Sequence, residues 1–324
     1  EALVKCWQFT DEDILIHALP LYHTHGLFVA INVSLLAGSS LLLMKKFHAD
    51  AICRRMPQAS VLMGVPTFYV RLLEHPDLGN VAKNMRLFVS GSAPMLPHTH
   101  ALWKERTGQT ILERYGMTET SMNTSNPYFG ERRAGTAGLP LPGVEVIVTD
   151  PATGEVLQNG RTGMIEIRGP NVFKGYWGMP EKTAEELREN GFFITGDLGS
   201  IGEDGYVSLV GRSKDLIISA GYNIYPKEVE LMLDSINGVF ESAVIGVPHP
   251  DLGEAVVAVI VTESGISLNH DSITDFLQNR IALFKHPKQI IFIDELPRNS
   301  MGKVQKNVLR ESYIGIYNKK TDAE

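Results

Sequence analysis

The stretch Glu113-Arg114-Tyr115-Gly116-Met117-Thr118-Glu119-Thr120 constrains this chain most. Gln109-Thr110-Ile111-Leu112, just upstream, is short, apolar and β-prone, so a strand is expected there. Gly116 is expected to break that strand and let the backbone turn. Open α/β sheets bind ligands where loops leave the carboxyl ends of their strands. This loop would carry a flat aromatic (Tyr115), a hydroxyl (Thr118) and a carboxylate (Glu119). Tyr115 offers a stacking face, and Thr118 and Glu119 offer hard oxygens suited to a phosphate-bound Mg²⁺. The same residues would also serve as an ordinary polar turn, and by themselves they leave both readings open.

A chain of 324 residues is long enough for two domains. Its 44% hydrophobic and 21% charged content are those of a globular protein. A net charge of −7 argues against non-specific nucleic-acid binding, which needs a basic surface. It leaves room for a local basic pocket. Cys6 and Cys53 stand in unrelated contexts without metal spacing, which suggests a reducing, cytoplasmic setting and no disulfide framework. No apolar run is long enough to span a bilayer.

Along the chain, Asp13 to Pro20 contains a short β-prone run, and a loop follows over Leu21-Tyr22-His23-Thr24-His25-Gly26. Leu27 to Leu36 is apolar enough for a buried helix ended by Ala37-Gly38. Ser39 to Met44 and Val61 to Pro66 read as strands, with a helix starting near Thr67 as N-cap. Arg71 lies one turn into that helix, either as a solvated cation or as an anion clamp. Arg86 to Val89 is a strand, and Ser90-Gly91-Ser92-Ala93-Pro94 turns off its end with residues small enough for close backbone approach. Pro97 to Thr107 reads as a helix with Gly108 at C′. Gly143 to Thr149 and Gly163 to Arg168 alternate like antiparallel strands. Phe192 to Asp197 reads as a strand entering a Gly turn that ends in a carboxylate. Composition changes near Val210 to Asp215, where a boundary between residues 1–211 and 212–324 is expected. Beyond it, Asp215 to Ser219 is a strand and Ala220 to Asn223 a loop. Helices at Pro226 to Ile236 and Asp271 to Leu283 alternate with strands at Val244 to Val247, Val256 to Val261 and Ile290 to Ile293. His23 and His25 at i, i+2 lack the acidic or thiol neighbours of a metal site. No P-loop, dinucleotide-binding, zincin or nucleophile-elbow motif is present.

Tyr115-Gly116-Met117-Thr118-Glu119 resembles the adenine- and Mg²⁺-binding signature of the adenylate-forming acyl-CoA synthetases. The form Glu113 to Thr120, followed by Asn123-Thr124-Ser125-Asn126-Pro127, resembles the malonyl-CoA synthetases among them. The resemblance runs over essentially the whole chain. It implies a large α/β AMP-binding domain, here N-terminally truncated, and a small mobile α+β C-terminal domain. It implies an acyl-adenylate formed from a carboxylate and ATP with Mg²⁺, then passed to coenzyme A. The Gly/Ser/Thr-rich phosphate loop of that family is absent from the sequence, and a chain lacking the first part of its large domain is expected.

Residue by residue, the resemblance puts Gly91, Ser92, Ala93, Tyr115, Gly116, Thr118, Asp197 and Arg212 at the nucleotide, with Asp197 on the ribose. Glu119 is implied as the metal carboxylate. His25 is implied as a wall of the acyl pocket that gates pyrophosphate exit, with His23, Thr24, Ser92 and Met122 around the acid. Gly169 to Trp177 is a further family motif read as structural. Lys214 falls at the hinge, and Gly221 and Tyr222 at the coenzyme A channel. Leu296 to Val304 resembles the loop of the catalytic lysine, Lys303. Lys303 is implied to act in adenylation, and rotation of the small domain then replaces it with the Gly221-Tyr222 loop.

Arg114 speaks to the acid. Relatives that use fatty or aromatic acids mostly carry a small residue there. A large cation beside an apolar acyl group is costly to bury unpaired. A second carboxylate on the substrate would pair with it, so malonate or methylmalonate is expected. A structural salt bridge, for instance with Glu113, is the alternative. Two other classes stay open: a synthetase for another acid, and a non-catalytic fragment that binds AMP or coenzyme A.

Overall fold

The structure, a computed structural model, describes residues 1–299 and 302–317. It divides into two compact units, Glu1–Thr195 with Gly199–Leu209, and Gly196–Leu198 with the chain from Val210 onward.

The first unit is built on a seven-stranded sheet. Its strands are β1 (Ile14–His17), β2 (Ser40–Leu43), β3 (Val61–Gly64), β4 (Leu87–Ser90), β5 (Leu112–Met117), β6 (Ser121–Ser125) and β7 (Leu139–Pro140). The order is β2-β1-β3-β4-β5-β6-β7. The pairs from β2 through β5 are parallel, and β5-β6 and β6-β7 are antiparallel. β3 and β4 are buried at every residue, as the centre of a parallel sheet covered on both faces requires. A core of Ile16, Leu62, Phe88, Tyr69 and Trp103 lies on it, with Trp103 meeting Tyr69 and Phe88 edge-on. The chain leaves β1 for β2 on one side and then crosses to β3 on the other. The order therefore reverses beside β1, which is where such sheets open a crevice at their carboxyl ends.

Three local expectations are corrected here. The strand expected from Gln109 starts at Leu112, and Gly116 does not end it. The register instead slips between Tyr115 and Gly116, and the turn falls on Thr118-Glu119-Thr120. A β-carbon at Gly116 would lie 2.0 Å from the Ser121 carbonyl oxygen and 2.2 Å from Met122 Cε. Gly116 thus serves the cross-strand approach of a bulge rather than a chain break. The helix expected from Leu27 begins at His25 as a π-helical segment, His25–Ile31, and continues as Asn32–Ala37 to Gly38 at φ +72°. It buries Val29, Ala30 and Val33, whereas Leu27, Phe28, Leu35 and Leu36 are exposed, because a helix apolar all round turns only one face to the sheet. The helix Pro66–Leu73 has Val65, not Thr67, at its N-cap, with Pro66 in the first turn where its missing N–H costs nothing.

A four-stranded sheet follows, with β8 (Glu145–Thr149), β9 (Gly163–Arg168), β10 (Phe193–Ile201) and β11 (Val207–Arg212) in the order β11-β10-β9-β8. β10 runs on through Gly196 and Asp197 instead of turning there, because β11 lies alongside it.

The second unit carries β12 (Ile217–Ser219), β13 (Tyr222–Ile224), β14 (Val239–His249), β15 (Gly253–Thr262) and β16 (Gln289–Phe292). β15 is buried on both faces. Val256, Ala258 and Ile260 join one core with Val229, Leu233, Ile273 and Leu277, and Val257, Val259 and Val261 join another with Leu309. The helices are shorter than expected. Pro226–Leu233 stops where Asp234 turns to accept a hydrogen bond from Ser242. His270–Leu277, opened by a capping box of Asn269 and Ser272, ends before the separate turn Leu283–Lys285. Ala220 and Gly221, at φ +50° and +82°, are the two central residues of a tight hairpin that pairs Ser219 with Tyr222. Two positive φ values are what a type I′ turn needs.

No helix among the described residues is long and apolar enough to cross a membrane.

Candidate active site

The crevice at the carboxyl ends of β1, β4 and β5 gathers most of the expected site residues of the first unit. His25 opens the helix after β1, and Ser92 follows β4. Their side chains meet, Ser92 Oγ to His25 Nδ1, at 3.2 Å. Ser92 holds φ +71°, a left-handed backbone that a non-glycine residue adopts at a cost of order 1–3 kcal/mol, and it turns the hydroxyl toward His25. The His25 backbone N–H donates to His23 Nδ1 at 3.3 Å. Thr24 Oγ1 lies 3.3 Å from Thr118 Oγ1, which ties the loop after β1 to the β5-β6 turn. Met122 is buried with its terminal methyl against Gly116.

Arg114 on β5 is 6% exposed, and its Nε and Nη2 have no hydrogen-bond partner among the described residues. No ion pair holds it among the described residues, so the salt bridge with Glu113 is absent. Glu113 instead accepts from the Gly135 N–H at 3.0 Å, in keeping with neighbours on a strand pointing to opposite faces. Gly91 is the seat of the guanidinium: a β-carbon there would lie 2.5 Å from Arg114 Cζ. Burial lowers the Arg114 pKa to about 10, and the Tyr69 hydroxyl group opposes that only in part. Burial also drives the His25 imidazole well below its usual range, helped by the charge of Arg114 and by His23 and His17. His25 is therefore neutral at pH 7, and its buried Nε2 has no hydrogen-bond partner among the described residues. Two partnerless guanidinium nitrogens, a partnerless imidazole nitrogen and a hydroxyl make a site short of acceptors. Such an arrangement suits an anion whose oxygens can accept from these groups.

Thr118 and Glu119 sit on the β5-β6 turn with hard oxygens, which fits a Mg²⁺ that arrives on phosphates and keeps most of its own waters. No group of three His, Cys, Asp or Glu among the described residues could cage an ion instead. Two residues missed by the sequence reading touch Glu119. The Phe173 N–H donates to its carbonyl at 2.8 Å, and the Tyr176 hydroxyl lies 3.3 Å from its carboxylate. Both belong to the motif Gly169 to Trp177 that was read as structural. Burial, then the hydrogen bond to Glu186, raises the Tyr176 pKa, so its hydroxyl stays protonated.

Other expected residues are placed differently. Tyr115 is buried and packs in a core with Ala137, Val148, Ile165 and Ile167. Arg71 is exposed, its guanidinium 5.8 Å from the Phe47 ring centroid, and no ion pair or hydrogen bond among the described residues draws it to Arg114. Asp197 is buried and paired to Arg212 Nε at 2.7 Å, so the two expected ribose contacts hold each other. Gly91, Ser92 and Ala93 form the turn after β4 as expected.

In the second unit, Lys214 is exposed in the turn Ser213–Asp215. Tyr222 follows Gly221 out of the hairpin and stacks on Phe284 at 4.6 Å between centroids. Lys303 is exposed on a tight turn in which its N–H bonds Asn299 Oδ1 and its carbonyl accepts from the Asn299 N–H, each at 3.0 Å. Arg298 secures that turn, bonding the Gly302 carbonyl at 2.6 Å and pairing with Glu241 on β14. Ser300 and Met301 of the lysine loop lie outside the described residues.

Residues 1–177 match the family model of the AMP-binding enzymes, and residues 228–303 match that of the AMP-binding enzyme C-terminal domain. The malonate–CoA ligase of Arabidopsis thaliana is 36% identical over 342 residues, covering 96% of this chain and 56% of that protein. The ATP-bound structure of MatB from Rhodopseudomonas palustris is 59% identical with a TM-score of 0.96, covering 98% of this chain and 63% of that one. A malonyl-CoA ligase solved with methylmalonyl-CoA and AMP is 42% identical with a TM-score of 0.62, covering 92% of this chain and 65% of that one. The chain thus spans less than two thirds of the length of these relatives.

Proposed function

The chain belongs to the AMP-binding enzyme family, and from that premise we propose that it carries the site of an AMP-forming acid–thiol ligase for malonate or methylmalonate. The reaction joins the acid to the α-phosphate of ATP with loss of pyrophosphate. The acyl group then passes to the thiol of coenzyme A with loss of AMP. The observation that carries this reading is Arg114, buried with two guanidinium nitrogens unpartnered beside neutral His25. A monocarboxylate in this crevice would leave that cation uncompensated, whereas the second carboxylate of a malonate-like acid accepts both of its N–H groups. The names of the relatives agree with this acid.

Each residue has a distinct task in this scheme. Arg114 grips the distal carboxylate and so aims the reacting one. His25, kept neutral, donates from Nε2 to the acid or to the departing phosphate oxygens, while Ser92 Oγ holds Nδ1. Thr24 and Met122 bound the space at the α-carbon. Asp197, with Arg212, receives the ribose hydroxyls. Thr118 and Glu119 would hold Mg²⁺, which when bound offsets the negative charge of the phosphates. The attacking carboxylate and the phosphate repel by roughly 4 kcal/mol at 4 Å and an effective dielectric near 20. Lys303 supplies a further positive charge against that repulsion during adenylation. Gly221 and Tyr222 serve the coenzyme A step, and Lys214 the change between steps.

ATP–pyrophosphate exchange in the full-length enzyme, screened over malonate, methylmalonate, succinate, propionate and butyrate, tests the reading. Exchange should be fastest with malonate or methylmalonate. Equal or faster exchange with butyrate would reject a dicarboxylate site.

A further inference from the structure

We infer that Tyr176 is a positioning residue for the Glu119 carboxylate, and that the loop around it exists to present Glu119 to the metal–nucleotide. This rests on the site reading above. Three contacts from one loop converge on the same turn. Asn171 Nδ2 shares its two protons among the Thr120 carbonyl at 2.7 Å, the Met122 carbonyl at 3.1 Å and Asn123 Oδ1 at 3.0 Å. The Phe173 N–H fixes the Glu119 backbone at 2.8 Å. The Tyr176 hydroxyl reaches the Glu119 side chain itself, 3.3 Å from Oε1. The backbone of a two-stranded turn would be sufficiently held by the first two contacts. Only the third acts on the carboxylate.

The surroundings of Tyr176 suit that task. Its single hydroxyl proton is shared between Glu119 Oε1 and Glu186 Oε2, the latter at 2.6 Å, and Lys182 pairs with Glu186 Oε1 at 2.7 Å. Lys182 neutralises the second carboxylate, so the phenol does not stand between two bare anions. The ring is fixed edge-on against Phe173, 4.8 Å between centroids, and Phe173 is fixed in turn on Phe193. A carboxylate on a turn has two or more rotamers open to it, and a metal that keeps most of its waters cannot choose one alone. A phenol that shares its proton with Oε1 would favour one of them and leave Oε2 open to an ion. Partners of this kind to a metal-binding carboxylate typically carry 10–100-fold in metal affinity. A single bond at 3.3 Å belongs at the low end, about tenfold.

The test uses the full-length enzyme, a non-hydrolysable ATP analogue and Mn²⁺ as the spectroscopic stand-in for Mg²⁺. Tyr176→Phe deletes the hydroxyl and keeps the ring packing, so the thermal midpoint should be unchanged. Mn²⁺ affinity of the nucleotide complex, read by electron paramagnetic resonance, should fall about tenfold, with the KM for malonate unaltered. In a Glu119→Gln background the same change should have no further effect. Unaltered Mn²⁺ affinity in Tyr176→Phe, or an equal loss with Glu119 already replaced, would overturn the role while leaving the ligase reading intact. A wild-type enzyme that holds no Mn²⁺ with the nucleotide would overturn both.

Discussion

Replacing Arg114 by methionine isolates the charge from the volume. Burial lowers the guanidinium pKa to about 10, and at about 1.4 kcal/mol per pK unit the buried charge costs the fold about 3 kcal/mol. A distal carboxylate that accepts from Nε and Nη2 recovers that cost through charge-assisted bonds of roughly 1.5–3 kcal/mol. Arg114→Met in the full-length enzyme should therefore lower kcat/KM for malonate by about 10- to 150-fold, at 1.4 kcal/mol per tenfold. Butyrate has no distal charge to lose, and its efficiency should hold or rise. The KM for ATP should change little. The thermal midpoint should hold or rise, because an apolar residue of similar length replaces an unpaired buried cation. Steady-state kinetics on both acids with ATP varied, and a thermal melt of the same samples, decide the matter. Equal loss for malonate and butyrate, or a marked fall in the midpoint, would mean that Arg114 holds the sheet together, and the selectivity argument would be wrong.

Lys303→Ala in the full-length enzyme should suppress formation of the acyl-adenylate by orders of magnitude while thioester formation from supplied acyl-adenylate largely survives. Single-turnover assays of the two half-reactions check this, and equal loss in both would remove Lys303 from a step-specific role. Asp234 has its pKa raised to about 6, first by burial, with Glu230 adding to it. A carboxyl raised in the folded state favours folding below the unfolded value near 3.8 and loses that contribution as pH rises through about 6. Asp234→Asn, which can still accept from Ser242, should raise stability by about 1–3 kcal/mol at pH 8, with the gain gone below about pH 4. Denaturant melts across that range test it, and a gain that persists at pH 4 would contradict the assignment.

Much of this molecule is legible in its residues. Runs such as Val61 to Met63 and Leu87 to Val89 are apolar on every residue, as central strands of a sheet covered on both faces are. Pro97 and Gly108 bracket a helix by local backbone chemistry alone, and its observed limits are those expected. The site motif was recognisable because its residue types carry its chemistry in a short span: Arg114, Thr118 and Glu119 lie within six positions. What escaped the sequence was whatever depends on a partner distant in the chain. Gly116 looked like a stop, yet the approach of Ser121 and Met122 makes it a bulge inside a continuing strand. Asp197 looked like the end of a turn, but β11 keeps β10 extended through it. That Tyr115 packs against Val148 and Ile165 likewise depends on strands far along the chain. Arg114 makes the division clearest. Its type, and the cost of burying it, follow from the sequence and solvation. Only the folded sheet decides that no carboxylate among the described residues meets it, because Glu113 points to the opposite face and Gly91, 23 positions upstream, leaves the space that the guanidinium fills.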